Sequence, residues 1–201
     1  MAKANLSITL LAIVFFLSAC GPRQVGPRVA CSSDRDGDWE IYVMNADGSG
    51  QINLTNEPST DWFPACSPDG TRIAFSSDRD GNWDIYVMTA DGSGVTRLTD
   101  NEGWDGEPSW SPDGTRIAFT FARDGKPEIY VMNADRSGLT NLTKDPSSDG
   151  GSSWAPDGGS IAFSSDRDGD WEIYVMNADG GGVTRLTDAP GDDAGPTWCG
   201  K

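Results

Sequence analysis

Short segments of apolar and β-branched residues alternate with turn signals along most of the chain. In the stretch 108–143, four such segments have the length and the residue content that are typical of strands, at 108–111, 116–119, 128–132 and 139–143. Asp-Gly pairs such as the one at 113–114 lie between them, and these residue types favour tight hairpins because they tolerate positive φ. The pattern therefore predicts four antiparallel strands, which we term A to D in chain order.

The four-strand pattern recurs along the chain. Residues 32–48 are repeated without change at 164–180, and near-copies begin at Ser76 and Thr120. The corresponding turn glycines are 44 residues apart, at Gly37, Gly81, Gly125 and Gly169. Four antiparallel strands in a repeat of this length are the signature of a β-propeller blade. The sequence therefore predicts an all-β fold, a small β-propeller, over residues 29–201.

Three segments of the repeat resemble a known family. Trp-Ser-Pro-Asp-Gly at 110–114, Ser-Ser-Asp-Arg-Asp-Gly at 76–81 and Asp-Ile-Tyr-Val-Met at 84–88 are similar to the WD40-like repeat, PD40, of TolB-type propellers. The likeness covers nearly all of the chain beyond its first segment, with Cys66 in place of the strand-A tryptophan and Pro127 in place of the tryptophan before strand C. It implies a propeller that docks another protein on one mouth of its ring, and propellers of this type usually have six blades.

The phase of the repeat predicts how four units close. The first repeat begins at strand B, residues 29–31, and the segment 196–199 has a strand-A sequence. Pairing between these two segments would make one composite blade from the C-terminal strand A and the N-terminal strands B–D. The result is a monomer with four four-stranded blades, and closure of this kind removes exposed sheet edges. The alternative is that two chains merge into one larger ring.

The first residues have the pattern of an export signal. An apolar run at 6–17 is shorter than a resident membrane span requires, and it ends in Leu-Ser-Ala-Cys at 17–20. This segment resembles the lipobox of bacterial lipoproteins, which implies a signal peptide at 1–19, lipidation of Cys20 and a tether at 20–28. We therefore expect export and a lipid anchor in the cell envelope, on the periplasmic side or the outer face of the cytoplasmic membrane, with no other membrane contact. The alternative is an ordinary secretory signal that is cleaved close to the same site.

Composition excludes several classes of function. The chain has 15 basic and 31 acidic side chains, a formal net charge of −16, and no histidine. Nucleic acid is not expected as a partner, because its phosphates would be repelled. The absence of histidine removes Ser-His-Asp and Cys-His nucleophile systems and all imidazole metal sites. We therefore expect a non-enzymatic protein with no catalytic residues, and a basic protein surface as the partner.

The acidic side chains are predicted to gather on one side of the propeller. The A–B and C–D turns share one face of a propeller, whereas the B–C turns and D–A connections share the other, and most carboxylates lie in the second group. Aromatic residues beside these charges suit a protein-binding surface. The predicted partner-binding residues are Asp61, Trp62, Phe63, Trp104, Asp105, Asp149 and Asp193. The alternative is that the aspartates only cap turns and keep the protein soluble.

The tryptophans outside this group are assigned structural roles. We expect Trp39, Trp83 and Trp171 to pack over their own hairpins. The strand-A tryptophans and their strand-B neighbours are expected to form the core between blades. The residues in this second group are Trp110, Trp154, Trp198, Ile73 and Phe75.

The acidic turns and the cysteines bear on metal binding and disulfide formation. The acidic segment 34–40 differs from an EF-hand loop because its glycine comes too early. No cofactor or metal ligands are predicted, although weak structural calcium binding stays open. Export would allow one disulfide among Cys31, Cys66 and Cys199, with Cys66–Cys199 the better match, and the alternative is that these thiols are buried.

These features together predict a cell-envelope lipoprotein propeller that acts as a TolB-like protein-binding scaffold. A propeller hydrolase, a detached gating propeller of the peptidase type and a structural protein that binds divalent cations are the alternatives. Identical repeats at 32–48 and 164–180 argue against an enzyme, because a catalytic site is normally asymmetric.

Overall fold

A computed structural model of the chain describes residues 26–123 and 125–199, without the side chain of Arg123. The predicted signal peptide, Cys20 and most of the tether lie outside these residues. In the described part of the chain, no helix is long and apolar enough to cross a membrane. The strands are β1 (Arg28–Ser33), β2 (Glu40–Asn45), β3 (Ile52–Asn53), β4 (Asp61–Cys66), β5 (Arg72–Ser77), β6 (Asp84–Thr89), β7 (Thr96–Arg97), β8 (Trp104–Trp110), β9 (Arg116–Arg123), β10 (Lys126–Asn133), β11 (Thr140–Asn141), β12 (Asp149–Trp154), β13 (Ser160–Ser165), β14 (Glu172–Asn177) and β15 (Thr184–Arg185).

The strands form four antiparallel sheets, one for each repeat. Three sheets have four strands, in the orders β4-β5-β6-β7, β8-β9-β10-β11 and β12-β13-β14-β15, and the first sheet has three strands in the order β1-β2-β3. The predicted all-β propeller fold is confirmed, with strands A to D in the expected order. Strand D is shorter than predicted, because only two residues of each pair with strand C.

The composite blade is the part of the predicted fold that the described residues do not form. Residues 196–199 belong to no strand, and β1 pairs with β2 alone. Contacts between strands join the first sheet to the second, the second to the third and the third to the fourth, and among the described strands none joins the fourth to the first. The four described blades therefore form an open arc, in which no described strand occupies the strand-A position beside β1.

Apolar side chains pack between successive blades rather than within one blade. Ile73 and Phe75 are buried against the first blade, and Trp110 and Trp154 are buried against the second and the third, as predicted. Trp198 was expected in the same environment, but 39% of its surface is exposed. The reason is that, in the described part of the chain, no further sheet covers it.

Aspartates on the side of the A–B turns stabilise those turns. In the turn after β4, the Asp69 carboxylate accepts hydrogen bonds from the Ser67 hydroxyl (2.6 Å) and from both the amide and the hydroxyl of Thr71 (3.0 and 2.8 Å). These bonds, led by that of Ser67, lower the pKa of Asp69 to about 2. The next residue, Gly70, has a φ of 68°. A residue with a side chain would be strained in this conformation. These carboxylates are therefore part of the turn rather than free surface charges.

The cysteines in the described residues are free. Cys31 is partly buried, and Cys66 and Cys199 are exposed. The expected Cys66–Cys199 disulfide is absent in the described structure, and these two thiols are not buried either.

Candidate functional site

A β-bulge interrupts every strand A and determines how its side chains are presented. The pairing register shifts between Trp62 and Ala65 in β4, and at the equivalent places in β8 and β12. The bulge residue has a positive φ, which is 54° for Phe63, 55° for Glu107 and 62° for Gly151. Glycine adopts this conformation without strain, whereas another residue pays about 1–2 kcal/mol. Two non-glycine residues at this position are therefore candidates for a functional role.

Phe63 is presented at the surface by the bulge of the second blade. Its side chain is 37% exposed. Its ring centroid lies 5.5 Å from that of Trp62 and 6.5 Å from that of Trp104, and both contacts are edge-to-face. The strained backbone thus holds an exposed aromatic ring between two indoles.

Two tryptophans from the B–C turns extend this cluster. Trp39 lies 5.0 Å from Trp62 between ring centroids, and Trp83 lies 6.5 Å from the same ring. We expected Trp39 and Trp83 to pack over their own hairpins, and the structure shows that both rings also contact Trp62 of β4. The backbone amide of Asp61 donates to the Trp39 carbonyl (2.7 Å) and ties the turn to the next strand A. We term the set the aromatic ridge: Trp39, Trp62, Phe63, Trp83 and Trp104.

Three of the predicted partner-binding aspartates are buried and cannot be reached by a partner. Asp61, Asp105 and Asp149 each have no exposed surface, because they lie at or near the start of a strand A that the B–C turn covers. The Asp61 carboxylate accepts from Arg79 Nη2 at 3.0 and 3.2 Å. The assignment of these three residues to the binding surface was therefore wrong.

Asp149 repeats this ion pair in the fourth blade. It accepts from Arg167 Nη2 at 2.9 Å, and the arginine side chain is 20% exposed. Burial is the largest influence on the Asp149 carboxyl and raises its pKa. The pair fastens strand A to the turn between strands B and C, which is a structural role.

Asp105 occupies the same position in the third blade but has a different environment. Among the described residues, neither of its carboxylate oxygens accepts a hydrogen bond of good geometry, although the side chains of Thr99 and Asn101 are close enough to lower its pKa in part. Burial raises the pKa of Asp105 to about 7. Arg123 stands where Arg79 and Arg167 stand in their blades, and its side chain is not among the described ones.

Asp193, the fourth predicted aspartate, is partly exposed. Its backbone amide donates to the Trp171 carbonyl at 2.6 Å, as the Asp61 amide does to the Trp39 carbonyl. No ion pair of its side chain is found among the described residues. Asp193 is thus placed like its buried equivalents but remains open to water.

Exposed carboxylates lie in the same B–C turns and D–A connections as the aromatic ridge and in those of the fourth blade, although they are fewer than the sequence suggested. Asp84 is buried and its carboxylate accepts from Arg97 Nη2 at 2.6 Å. The Asp80 carboxylate accepts from the Tyr86 hydroxyl at 2.6 Å. Exposed acidic residues of the B–C turns and D–A connections include Asp34, Asp36, Asp38, Glu57, Asp80, Glu102, Asp168, Asp170 and Asp192. An acidic rim remains, but part of the predicted charge serves the fold.

A groove of about 440 Å³ continues from the ridge toward the fourth blade, with Trp104 at one side and Trp171 at the other. Glu107 lines it, and its Oε2 accepts from the Thr120 hydroxyl and the Gly151 amide, each at 2.8 Å. The glutamate thereby bridges two blades. Glu107 was not among the residues predicted from the sequence, although it stands where the fourth blade has Gly151.

Metal ligands do not gather in the described part of the chain. No group of three or more histidine, cysteine or carboxylate side chains there could hold a metal ion. In the segment 34–40, the Asp36 carboxylate accepts from the Tyr42 hydroxyl, which gives it a role within its own hairpin.

Comparison with known proteins identifies the family. A family model described as the TolB β-propeller domain, PD40, matches residues 19–105 and 96–201. The chain belongs to the TolB β-propeller family. This confirms the resemblance that the repeat sequence suggested, and it agrees with the four sheets seen in the structure.

Individual TolB proteins match different shares of the chain. The TolB homolog of Chlorobaculum tepidum is 44% identical over 52 residues, which are 25% of this chain and 12% of that protein. A TolB structure from Agrobacterium tumefaciens has a TM-score of 0.73 and 30% identity, covering 80% of this chain and 61% of that one. The TolB structure from Acinetobacter baumannii has a TM-score of 0.73 and 28% identity, covering 85% and 44%. This chain therefore spans less than two thirds of these relatives.

Proposed function

We propose that this TolB-family propeller is an exported protein-binding scaffold, and that the aromatic ridge is its contact surface. The observation that carries the proposal is Phe63. Phe63 has the positive φ that Gly151 has at the same position of the fourth blade, and its aromatic ring is exposed there. Folding alone does not require this side chain, so its strain is best explained by a role in binding.

The chemistry around Phe63 indicates a protein partner with a basic surface. Exposed aromatic side chains supply much of the binding energy at protein interfaces. The acidic rim would attract a basic surface, increase the rate of association and make it depend on salt. The partner-binding residues that we retain are Trp62, Phe63 and Trp104, with Trp39 and Trp83 added.

We propose binding without catalysis and without a cofactor. The chain has no histidine. The buried carboxylates Asp61, Asp84 and Asp149 are held in ion pairs with arginines, which is the arrangement of structural groups rather than of a general acid or base.

The proposal is tested by replacing Phe63 with glycine. We expect Phe63→Gly to leave the melting temperature unchanged or higher, because glycine relieves the strained bulge. The same change should weaken partner binding by about 10-fold or more, since a central aromatic contact is lost. The measurement is capture of proteins from the envelope fraction of the source bacterium by the immobilised propeller. It is followed by affinity measurement with the captured protein at 0.05 and 0.3 M salt, on the order of the range where screening becomes strong.

Leu139→Ala is the matched control. Leu139 is 47% exposed directly before β11 and is not part of the aromatic ridge, so its truncation should leave binding intact. Equal binding by the wild type and Phe63→Gly would refute the assigned surface. A partner without a basic surface, or an affinity that does not change with salt, would refute the role of the acidic rim.

We also propose a lipid anchor at Cys20, on the basis of the lipobox-like segment at 17–20. Cys20→Ala should abolish incorporation of labelled fatty acid and release the protein from membranes. Cys66→Ala, in the propeller, should still be labelled. Labelling of the Cys20→Ala variant would show that the anchor assignment is wrong, without affecting the proposed binding surface.

A further inference from the structure

A recurring ion pair is divided between the two ends of the described chain. In two of the three complete blades, the strand-A aspartate pairs with the arginine that lies 18 residues later, as Asp61–Arg79 and Asp149–Arg167. Among the described residues, Arg35 after β1 has no strand-A aspartate beside it. Asp193, in the segment 193–199, has no arginine beside it among the described side chains.

Arg35 is already held in the orientation of its paired equivalents. Its Nε donates to the Ser33 hydroxyl at 2.9 Å. Arg79 and Arg167 bind Ser77 and Ser165 in the same way, each at 2.9 Å. Arg35 is exposed, however, and its Nη1 donates to the Gln51 side chain instead of to a carboxylate.

The segment 193–199 has the shape of a strand A that is ready to pair. Gly195 has a φ of 67°, like the bulge residues of β4, β8 and β12, and its amide donates to the Ser164 hydroxyl at 3.0 Å. Trp198 Nε1 donates to the Ser153 carbonyl at 3.0 Å, as Trp110 Nε1 does to the Ala65 carbonyl. The segment thus lies on the fourth blade as each strand A lies on the blade before it.

The register of the complete blades specifies how this segment would meet β1. In the fourth blade, Asp149 is opposite Ser165, Ser153 opposite Ala162, and Trp154 opposite Ile161. Because the repeats are of equal length, the equivalent pairs are Asp193 with Ser33, Thr197 with Ala30 and Trp198 with Val29. The pairing would cover Val29 and Trp198, which are 49% and 39% exposed. It would also place Asp193 beside Arg35.

We propose that the partner of each end is a second copy of this chain. Within one chain the first and fourth sheets do not touch in the described structure, so the segment 193–199 cannot reach its own β1 without a change in the arc. A head-to-tail contact between copies completes the three-stranded first blade and unites Arg35 with Asp193. Two copies that exchange this contact reciprocally leave neither end open.

Charge reversal at the two ends tests the proposal. The molecular mass of the purified chain is measured by light scattering over a range of concentrations. The wild type should have the mass of two copies, or of more copies joined by the same contact. Asp193→Arg and Arg35→Asp should each place like charges together at every contact, and each should weaken self-association by at least about 10-fold. Circular dichroism and melting curves confirm that both variants are folded.

Mixing the two variants gives the decisive result. In a mixed assembly, the arginine introduced at position 193 of one variant meets the aspartate introduced at position 35 of the other. The wild-type pair forms at the second contact, so the mass should return to that of the wild type. A wild type with the mass of one copy would overturn the proposal. If each charge reversal lowered the melting temperature and mixing the two variants did not restore it, the contact would lie within one chain, which would also overturn the proposal. Assembly that neither reversal affects would also overturn it. None of these outcomes bears on the Phe63 surface.

Discussion

Replacing Arg79 with alanine is expected to destabilise the folded chain by about 3–5 kcal/mol, because it leaves the fully buried Asp61 carboxylate without its ion-pair partner. The arginine also stacks on the Tyr86 ring, with its guanidinium carbon 5.0 Å from the ring centroid, so packing is lost as well. Urea unfolding at neutral pH measures the loss as a fall in the midpoint with an unchanged slope.

Lys144→Ala is the control for this experiment. Lys144 is exposed, and no hydrogen bond or ion pair of its ammonium group is found among the described residues. Its truncation should change the free energy of unfolding by less than about 0.5 kcal/mol. If Arg79→Ala lowered the free energy of unfolding no more than this control, the Asp61 carboxylate would have to be hydrated in the folded state. The ion pair between Asp61 and Arg79 would then not hold strand A in place.

Asp105→Asn should make the chain more stable above neutral pH. The pKa of Asp105 is raised to about 7 by burial, against about 3.9 in an unfolded chain. The folded state therefore holds its proton more tightly, so stability should fall as pH rises from about 4 to about 7 and stay constant beyond. The pKa difference corresponds to roughly 4 kcal/mol at high pH. Asparagine has no charge to bury, so the variant should avoid this loss.

The difference in unfolding free energy between wild type and variant, measured from pH 3 to 9, isolates the Asp105 carboxyl from all other groups. Asp113→Asn is the control of opposite sign, because hydrogen bonds led by that of the Ser111 hydroxyl lower the pKa of Asp113 to about 2. Its contribution should be present above about pH 4 and be lost as pH falls toward 2. A difference for Asp105→Asn that does not vary with pH would show that folding leaves the pKa of Asp105 at its unfolded value. A wild type that gains stability over the variant as pH rises would show that the folded state lowers this pKa.

The strands and turns were predictable from the sequence because their determinants are local. The Pro-Asp-Gly turn at 68–70 and the apolar segment 84–88 carry their conformation in their own residue types. The order of strands within a blade follows from short hairpin connections. The angle between successive blades depends instead on packing spread over many residues, and the expected closure at 196–199 was wrong for that reason.

The candidate site was less predictable because burial is not encoded by residue type alone. Asp61 and Asp192 both stand among polar residues at the start of a strand-A sequence, yet one is fully buried and the other exposed. The difference arises because Arg79, 18 residues from Asp61, folds back over it. The sequence did offer a signal for Phe63, since the equivalent residue in the fourth blade is glycine, but the strain is visible only in the backbone.

The two identical segments, 32–48 and 164–180, occupy unequal sheets, since β13 has β12 beside it and none of the described strands pairs with β1 on that side. Hydrogen exchange can therefore compare the same amides in two surroundings within one molecule. At Ser33 of β1 and Ser165 of β13 the neighbouring residues, the intrinsic exchange rate and the solvent conditions are the same. The protection of the Ser165 amide in excess of the Ser33 amide therefore measures what one neighbouring strand contributes to a propeller blade.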